Sequence, residues 1–115
     1  MLIRVDPASP EPLFEQLAAA VRGEVLRGSL TPGERLPSAR DLAASLEINA
    51  HTVLHSYQLL RDEGLIDLRR GRGAIVTDRA HDYADIAGAL PALVAAAKRL
   101  NLSPVALAAL IREAY

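Results

Sequence analysis

The sequence contains no cysteine and no tryptophan, and only four aromatic side chains, three tyrosines and one phenylalanine. Without cysteine, disulfides, thiolate metal sites and a cysteine nucleophile are excluded. Because half of the residues are nevertheless hydrophobic, the core must be aliphatic, which suits packed helices better than a β-sandwich. A length of 115 residues predicts one compact domain with room for a small appendage.

Long apolar runs are lacking as well. No stretch approaches the roughly 18 residues that span a bilayer. The opening residues, Met1–Pro7, have no apolar core of the kind that a signal peptide requires. We therefore expect a cytoplasmic protein that has no membrane partner.

An excess of positive charge is also missing, since 13 Lys and Arg face 14 Asp and Glu for a net charge of −1. This balance argues against a generally cationic nucleic-acid binder. The placement of the charges is uneven, however: Arg69, Arg70 and Arg72 are crowded together, and Arg79 follows closely. A local patch of this kind can bind nucleic acid even where the whole chain does not attract it.

The first periodic segment predicts a helix that begins near residue 12. Leu17, Val21 and Val25 recur at helical spacing and form one apolar stripe. Gly28 is suited to the left-handed conformation that ends many helices. The segment Thr31–Glu34 predicts a turn, because proline presets its first corner and glycine accepts a positive φ at its second.

Two further helices follow, each with its own cap. Ser38 and Asp41 have the spacing of a capping box. Asn49 is suited to cap a helix that runs to about residue 63. Val53 and the apolar residues four and seven positions after it are predicted to form the buried face of this helix. Two helices joined by three or four residues predict a helix-turn-helix.

After Gly64 the apolar period changes from that of a helix to that of strands. Leu65–Leu68 and Ala74–Thr77 are short strand-like runs, and Arg69–Gly73 between them contains the glycines that a hairpin tip requires. The hairpin would form the wing of a winged helix-turn-helix domain over residues 1–78.

Residues 79–115 predict a short helical segment. An apolar seam precedes Asn101–Pro104, which is a stop followed by a fresh cap, and a second apolar helix follows it. Pro91 must kink or interrupt the first of these helices. The predicted fold is therefore mainly helical, of the α+β class, with two C-terminal helices appended to a winged helix-turn-helix.

Residues 2–77 contain a series of motifs in a distinctive order: the run Leu30-x-Pro32-Gly33-x-Arg35-Leu36-Pro37-Ser38-x-Arg40-x-Leu42-Ala43, followed by Asn49-x-x-Thr52-Val53, Tyr57, Glu63-Gly64-Leu65-Ile66 and Arg70-Gly71-x-Gly73. In the order and spacing of these motifs, the segment resembles the DNA-binding domain of GntR-family regulators. The tail is too short for the ligand-binding domain of most members. It is similar to that of the YtrA-type subfamily, in which two C-terminal helices serve dimerisation.

The resemblance implies a transcription regulator, usually a repressor, that binds an inverted-repeat operator in double-stranded DNA as a homodimer. It implies no cofactor and no metal, and it leaves any small-molecule effector unknown. The helix that begins after Asn49 would enter the major groove, and the wing would reach the adjacent minor groove. The expected DNA contacts are Arg35, Ser38, Arg40, Asn49, Ala50, His51, Thr52, His55, Arg70, Gly71 and Arg72.

Arg40 has a physical argument of its own. A cation in the first turn of a helix opposes the helix dipole, so it is poorly placed as a stabiliser and better explained by an external phosphate or base. The alternative for the other contacts is that they are caps and solvated polar residues. The arginines common in the family at the positions of Ala50 and Leu54 are absent. Leu54 either contacts a thymine methyl group or is an ordinary surface leucine.

The apolar tail residues would leave an exposed surface on a domain that already has a core, and such surfaces usually mark interfaces. The alternative is that the tail folds back and completes that core. The residues expected at the dimer interface are Ile86, Leu90, Leu93, Ala97, Leu100, Leu107, Leu110 and Ile111.

Two other functions remain open from the sequence. One is a winged-helix module for protein–protein interaction, which the near-zero net charge favours. The other is a metal- or metabolite-responsive switch, since His51 and His55 lie four residues apart on one helical face. Enzyme activity is not expected, because Gly71-x-Gly73 lacks the third glycine of a nucleotide loop and no catalytic constellation is visible.

Overall fold

The computed structural model describes residues 3–71 and 73–115. In these ranges the helices are α1 (Leu13–Leu26), α2 (Ala39–Leu46), α3 (Ala50–Asp62), α4 (Ala84–Arg99) and α5 (Pro104–Ala114), with a 3-10 helix at Asp78–Tyr83. The strands are β1 (Ile66–Arg69) and β2 (Gly73–Val76), which pair antiparallel. The mainly helical fold with a small sheet that the sequence predicts is confirmed.

Local sequence signals set the ends of the first three helices. Gly28, at φ +77°, follows α1, and the N–H of Ser29 closes the helix end on the carbonyl of Glu24 at 2.9 Å. The Ser38 hydroxyl accepts a hydrogen bond from the N–H of Asp41 at 3.0 Å, as its capping position predicts. The turn before α2 closes from the N–H of Glu34 to the carbonyl of Thr31 at 3.1 Å.

One aliphatic core holds these elements together. α3 lies at its centre and packs against α1, α2 and β1. Its predicted inner face is buried, with Val53 and Leu60 fully inaccessible and Tyr57 nearly so. Ile3, in the N-terminal segment that precedes α1, is also buried in this core. The N-terminal segment therefore contributes to packing as well as leading into α1.

A bidentate ion pair joins α1 to the end of α3. The Arg22 guanidinium donates to both carboxylate oxygens of Glu63, with the shortest distance 2.6 Å. The neighbouring Gly64 has φ +83°, and a Cβ there would lie 3.1 Å from the Cδ of Arg79. Positive φ and the crossing arginine side chain together explain why this position takes glycine.

The chain divides into two compact units, the first ending at Ala84 and the second beginning at Asp85. The domain boundary predicted between residues 78 and 79 falls inside the 3-10 helix, whose Ala80 and Tyr83 pack against the core of the first unit. In the second unit, α4 continues through Pro91 without interruption. Of the two effects expected of this proline, interruption therefore does not occur.

Candidate nucleic-acid interface

The start of α2 presents Ser38 and Arg40 to solvent. Ser38 uses its oxygen to cap the helix, so its hydroxyl hydrogen remains able to donate outward. Arg40 is exposed in the first turn and has no hydrogen bond or ion pair with any residue of 3–71 or 73–115. The structure thus places this cation where it opposes the helix dipole, in the same turn as Asp41, and where its guanidinium is free to bind an external anion.

The start of α3 presents a second set of predicted contacts. The Asn49 side chain accepts a hydrogen bond from the N–H of His51 at 2.8 Å, so its amide N–H groups still face outward. Ala50 and His51 are exposed and Thr52 is half-buried. These residues occupy the N-terminal end of the helix, the end that helix-turn-helix proteins direct at base edges.

His55 lies in a different environment from its neighbours. Its imidazole stacks on the ring of Phe14, with ring centroids 4.0 Å apart and the planes inclined by 19°. One face of the imidazole is therefore covered by α1, and any contact with DNA has to use the edge of the ring or its opposite face. Among the residues described, no group of three or more His, Asp or Glu side chains could hold a metal ion.

The wing is a tight hairpin with a polar tip. Arg69 pairs with Gly73 across the strands, and Arg70 and Gly71 are exposed beyond them. Gly71 and Gly73 have φ +81° and +75°, which only glycine adopts without strain. Arg72, also predicted to contact DNA, lies outside the described residues.

A third segment, which the sequence does not predict, joins the sheet. The N–H of Leu36 donates to the carbonyl of Ala74 at 2.8 Å, and the N–H of Val76 donates to the carbonyl of Glu34 at 2.9 Å. The loop before α2 is thereby tied to β2. Buried Leu36 beside exposed Arg35 is the alternation of a strand, but two residues are too few to reveal it in a sequence.

The same pairing determines which way Arg35 faces. Arg35 lies opposite Ile75 in an isolated bridge. Because side chains alternate between the faces of a sheet, Arg35 lies on the face opposite Leu68 and Ala74. Arg35 is therefore not among the residues that line the groove between α2, α3 and the wing.

An open groove of about 300 Å³ brings α2, α3 and the wing together. Ser38 contributes from α2, Leu54 from the outer side of α3, and Arg70 from the wing. The lining is completed by Ala39, Tyr57, Leu68, Arg69, Gly73 and Ala74. Three elements that are separate in sequence thus form one surface, whose lining includes the predicted contacts Ser38 and Arg70.

The ion pairs divide the arginines into those that are held by a carboxylate and those that are not. Arg22, Arg27, Arg61 and Arg69 each pair with a carboxylate. Arg40 and Arg70 have no such partner among the described residues. Arg40, at the start of α2, and Arg70, in the wing, are therefore available to phosphate, as are other arginines that form no ion pair within the described residues, such as Arg35 and Arg79.

Tyr57 fixes the position of the loop that precedes α2. Its hydroxyl donates to the carbonyl oxygen of Pro37 at 2.7 Å, and burial of the ring raises the pKa of Tyr57. The bond joins the middle of α3 to the residue before Ser38. Tyr57 is therefore a positioning residue for the start of α2.

Changing Tyr57 to phenylalanine removes this bond, and we expect the free energy of unfolding to fall by about 1 kcal/mol. The raised pKa adds a pH dependence, because the neutral phenol stabilises the fold below about pH 10 and this contribution is lost as pH rises further. Urea denaturation at pH 8 and 10.5 measures both effects, with the fully exposed Tyr115→Phe as control. An equal alkaline loss in wild type and Tyr57→Phe would contradict this role.

The comparisons with known proteins agree with this geometry. The family model of bacterial regulatory proteins of the gntR family matches residues 13–76, more than half of the chain. The chain belongs to the GntR family of DNA-binding transcription regulators, whose members matched here are regulators and not enzymes. The family resemblance seen in the sequence is confirmed.

Three relatives illustrate the extent of the match. The chain is 38% identical to the transcriptional repressor YtrA of Bacillus subtilis, over 69% of this chain and 61% of that protein. It is 36% identical to the transcriptional regulator Rv1152 of Mycobacterium tuberculosis, over 88% of this chain and 84% of that protein. YtrA from Sulfolobus acidocaldarius, a GntR-family transcription factor of solved structure, matches with a TM-score of 0.63 and 34% identity, over 79% of this chain and 99% of that one.

The comparison with YtrA-type proteins supports the subfamily prediction, and the chain spans about three fifths of the length of the Bacillus subtilis repressor. In the part of the chain that the structure describes, no single helix is long and apolar enough to cross a membrane. Only a bent pair, residues 78–99 with 104–114, meets both criteria together.

Proposed function

We propose that the protein is a repressor that binds an inverted-repeat operator as a homodimer. The observation that carries the proposal is the groove surface, on which the start of α2, the outer side of α3 and the wing converge. The N-terminal end of α3 would enter the major groove, Arg40 would contact a flanking phosphate, and Arg70 would reach the neighbouring backbone or minor groove. Repression is proposed because the similar Bacillus subtilis protein is named a repressor.

Homodimerisation is supported by the second unit. Five of the eight predicted interface residues, Ile86, Leu93, Leu100, Leu110 and Ile111, are exposed, as are Val94 and Val105, which the seam prediction omitted. Leu90 and Leu107 are half-buried, and Ala97 is buried within the chain. Seven exposed aliphatic side chains on a short helical segment favour association with a second copy.

The salt dependence of DNA binding tests the proposed role of the wing. Each phosphate contact on duplex DNA contributes a slope of about −0.9 to log affinity against log salt. Arg70→Ala should therefore reduce the slope by about 0.9 per subunit, or roughly two units for a dimer. Fluorescence anisotropy on a duplex from upstream of the gene, between 50 and 300 mM salt, measures it.

Arg61→Ala is the matched control, because Arg61 is an exposed arginine near the end of α3 that already pairs with Asp62. Its slope should equal that of the wild type. An unchanged slope for Arg70→Ala would mean that the wing stays in solvent. Failure of the wild-type protein to bind any duplex would instead favour a protein-interaction module.

A further inference from the structure

Leu54 is an exposed apolar residue on α3, the helix that is proposed to enter the major groove. It lies in the second turn of α3, and 39% of its surface is exposed. Ala50, one helical turn earlier, is also exposed. Residues four apart share a helix face, so these two side chains form a short apolar stripe that cannot hydrogen-bond to a base.

The groove beside Leu54 has a definite chemical character. Its walls are aliphatic and aromatic, from Leu54, Leu68 and Ala39 with Tyr57 and Ala74. Its polar lining residues are Arg70 and Ser38, together with Arg69, which is paired with Asp67. The complementary occupant combines an anionic backbone with a small apolar group. In the major groove of DNA, the 5-methyl group of thymine is the apolar group that bases present.

We propose that Leu54 recognises the methyl group of a thymine, so that each operator half-site contains a thymine opposite the apolar stripe formed by Ala50 and Leu54. This inference rests on the proposed function and adds to it the chemistry of base discrimination. Specificity at this position comes from burying a methyl group between Leu54 and the DNA, and it needs no hydrogen bond. Leu54 is then a specificity-determining residue, whereas Arg40 and Arg70 provide affinity that is independent of sequence.

Replacing thymine by uracil is the direct probe, because it removes the methyl group and leaves every hydrogen-bonding edge unchanged. An operator is first selected from random duplex DNA with the full-length chain. Each thymine in the selected sequence is then replaced singly by uracil. We expect one position per half-site at which uracil weakens wild-type binding about fourfold, the value for one methyl group removed from water.

The variant proteins identify the side chain responsible. In Leu54→Ala the penalty for uracil at that position should disappear, and in Leu54→Met it should be largely retained. Leu93→Ala is the control, since Leu93 is a leucine of α4 with nearly the same exposure, 40%, and the fourfold penalty should persist there even if overall affinity changes.

Two results would overturn the inference: a wild-type protein that tolerates uracil at every position, or a Leu54→Ala variant that is as sensitive to uracil as the wild type. Either result leaves the proposed DNA-binding function in place, because the protein still selects and binds a duplex. A selection that enriches no sequence would refute sequence-specific binding itself, and with it this assignment of Leu54.

Discussion

A chain ended at Ala84 is expected to remain folded, to be monomeric, and to bind operator DNA at least a hundredfold more weakly than the full chain. The first unit keeps its own core, since apart from Ala97 all of the buried hydrophobic residues precede Ala84. The second binding event of a linked dimer is effectively intramolecular, and its loss typically costs a factor of about 10² to 10⁴. Losing residues 85–115 removes that advantage without removing a DNA contact.

Sedimentation equilibrium measures the oligomeric state and fluorescence anisotropy measures the affinity for operator DNA, both on the same preparation. A second variant keeps the chain length: Leu110→Glu places a charge on an exposed apolar residue of α5 and should also produce a monomer. Thermal unfolding of the shortened chain should remain cooperative. If the chain that ends at Ala84 were still a dimer, the interface would lie in the first unit and the proposed role of α4 and α5 would be wrong.

Arg40→Ala should weaken operator binding at least tenfold and leave folding intact. The charge lies in the first turn of α2, where it opposes the dipole, so its removal should raise the free energy of unfolding slightly, by about 0.3 kcal/mol. Lower affinity together with equal or higher stability is the signature of a residue that serves a ligand. Replacing a residue with a structural role would lower both the affinity and the stability.

Titration with operator DNA measures the affinity, and urea denaturation measures the free energy of unfolding. Arg61→Ala again serves as control, because its position 11 residues beyond Ala50 places it about 16 Å further along α3. Its affinity should be within twofold of the wild type. If Arg40→Ala bound DNA as tightly as that control, the N-terminal end of α2 would have to lie away from the duplex.

The features that could be predicted from the sequence are those encoded by neighbouring residues. Ser38 and Asn49 act through backbone N–H groups two or three residues away, and Gly28 acts through its own φ. These interactions depend little on the rest of the fold. For the same reason the helices and strands of the first 76 residues follow the predicted order. Each begins and ends within one or two residues of its predicted position.

The features that were missed depend on partners distant in sequence. Arg22 and Glu63 are 41 residues apart, Phe14 and His55 meet only after α1 packs on α3, and Leu36 finds Ala74 across the wing. Neither member of such a pair signals the other by spacing or composition. The groove at the candidate site could not be predicted from the sequence for the same reason, because it is formed by three elements that only tertiary packing brings together.

The pairing of Glu34 and Leu36 with β2 has a consequence for self-association. Unpaired strand edges are templates on which further chains can add, and proteins protect them by shortness and charge. β2 is flanked on both sides, so within the described residues the outer edges of the sheet belong to β1, which is four residues long and carries Asp67 and Arg69, and to residues 34–36, which carry Glu34 and Arg35 and are followed by Pro37. Growth of the sheet from copy to copy is thereby disfavoured, which agrees with the proposal that copies meet through the helical residues after Ala84 in a closed assembly of defined size.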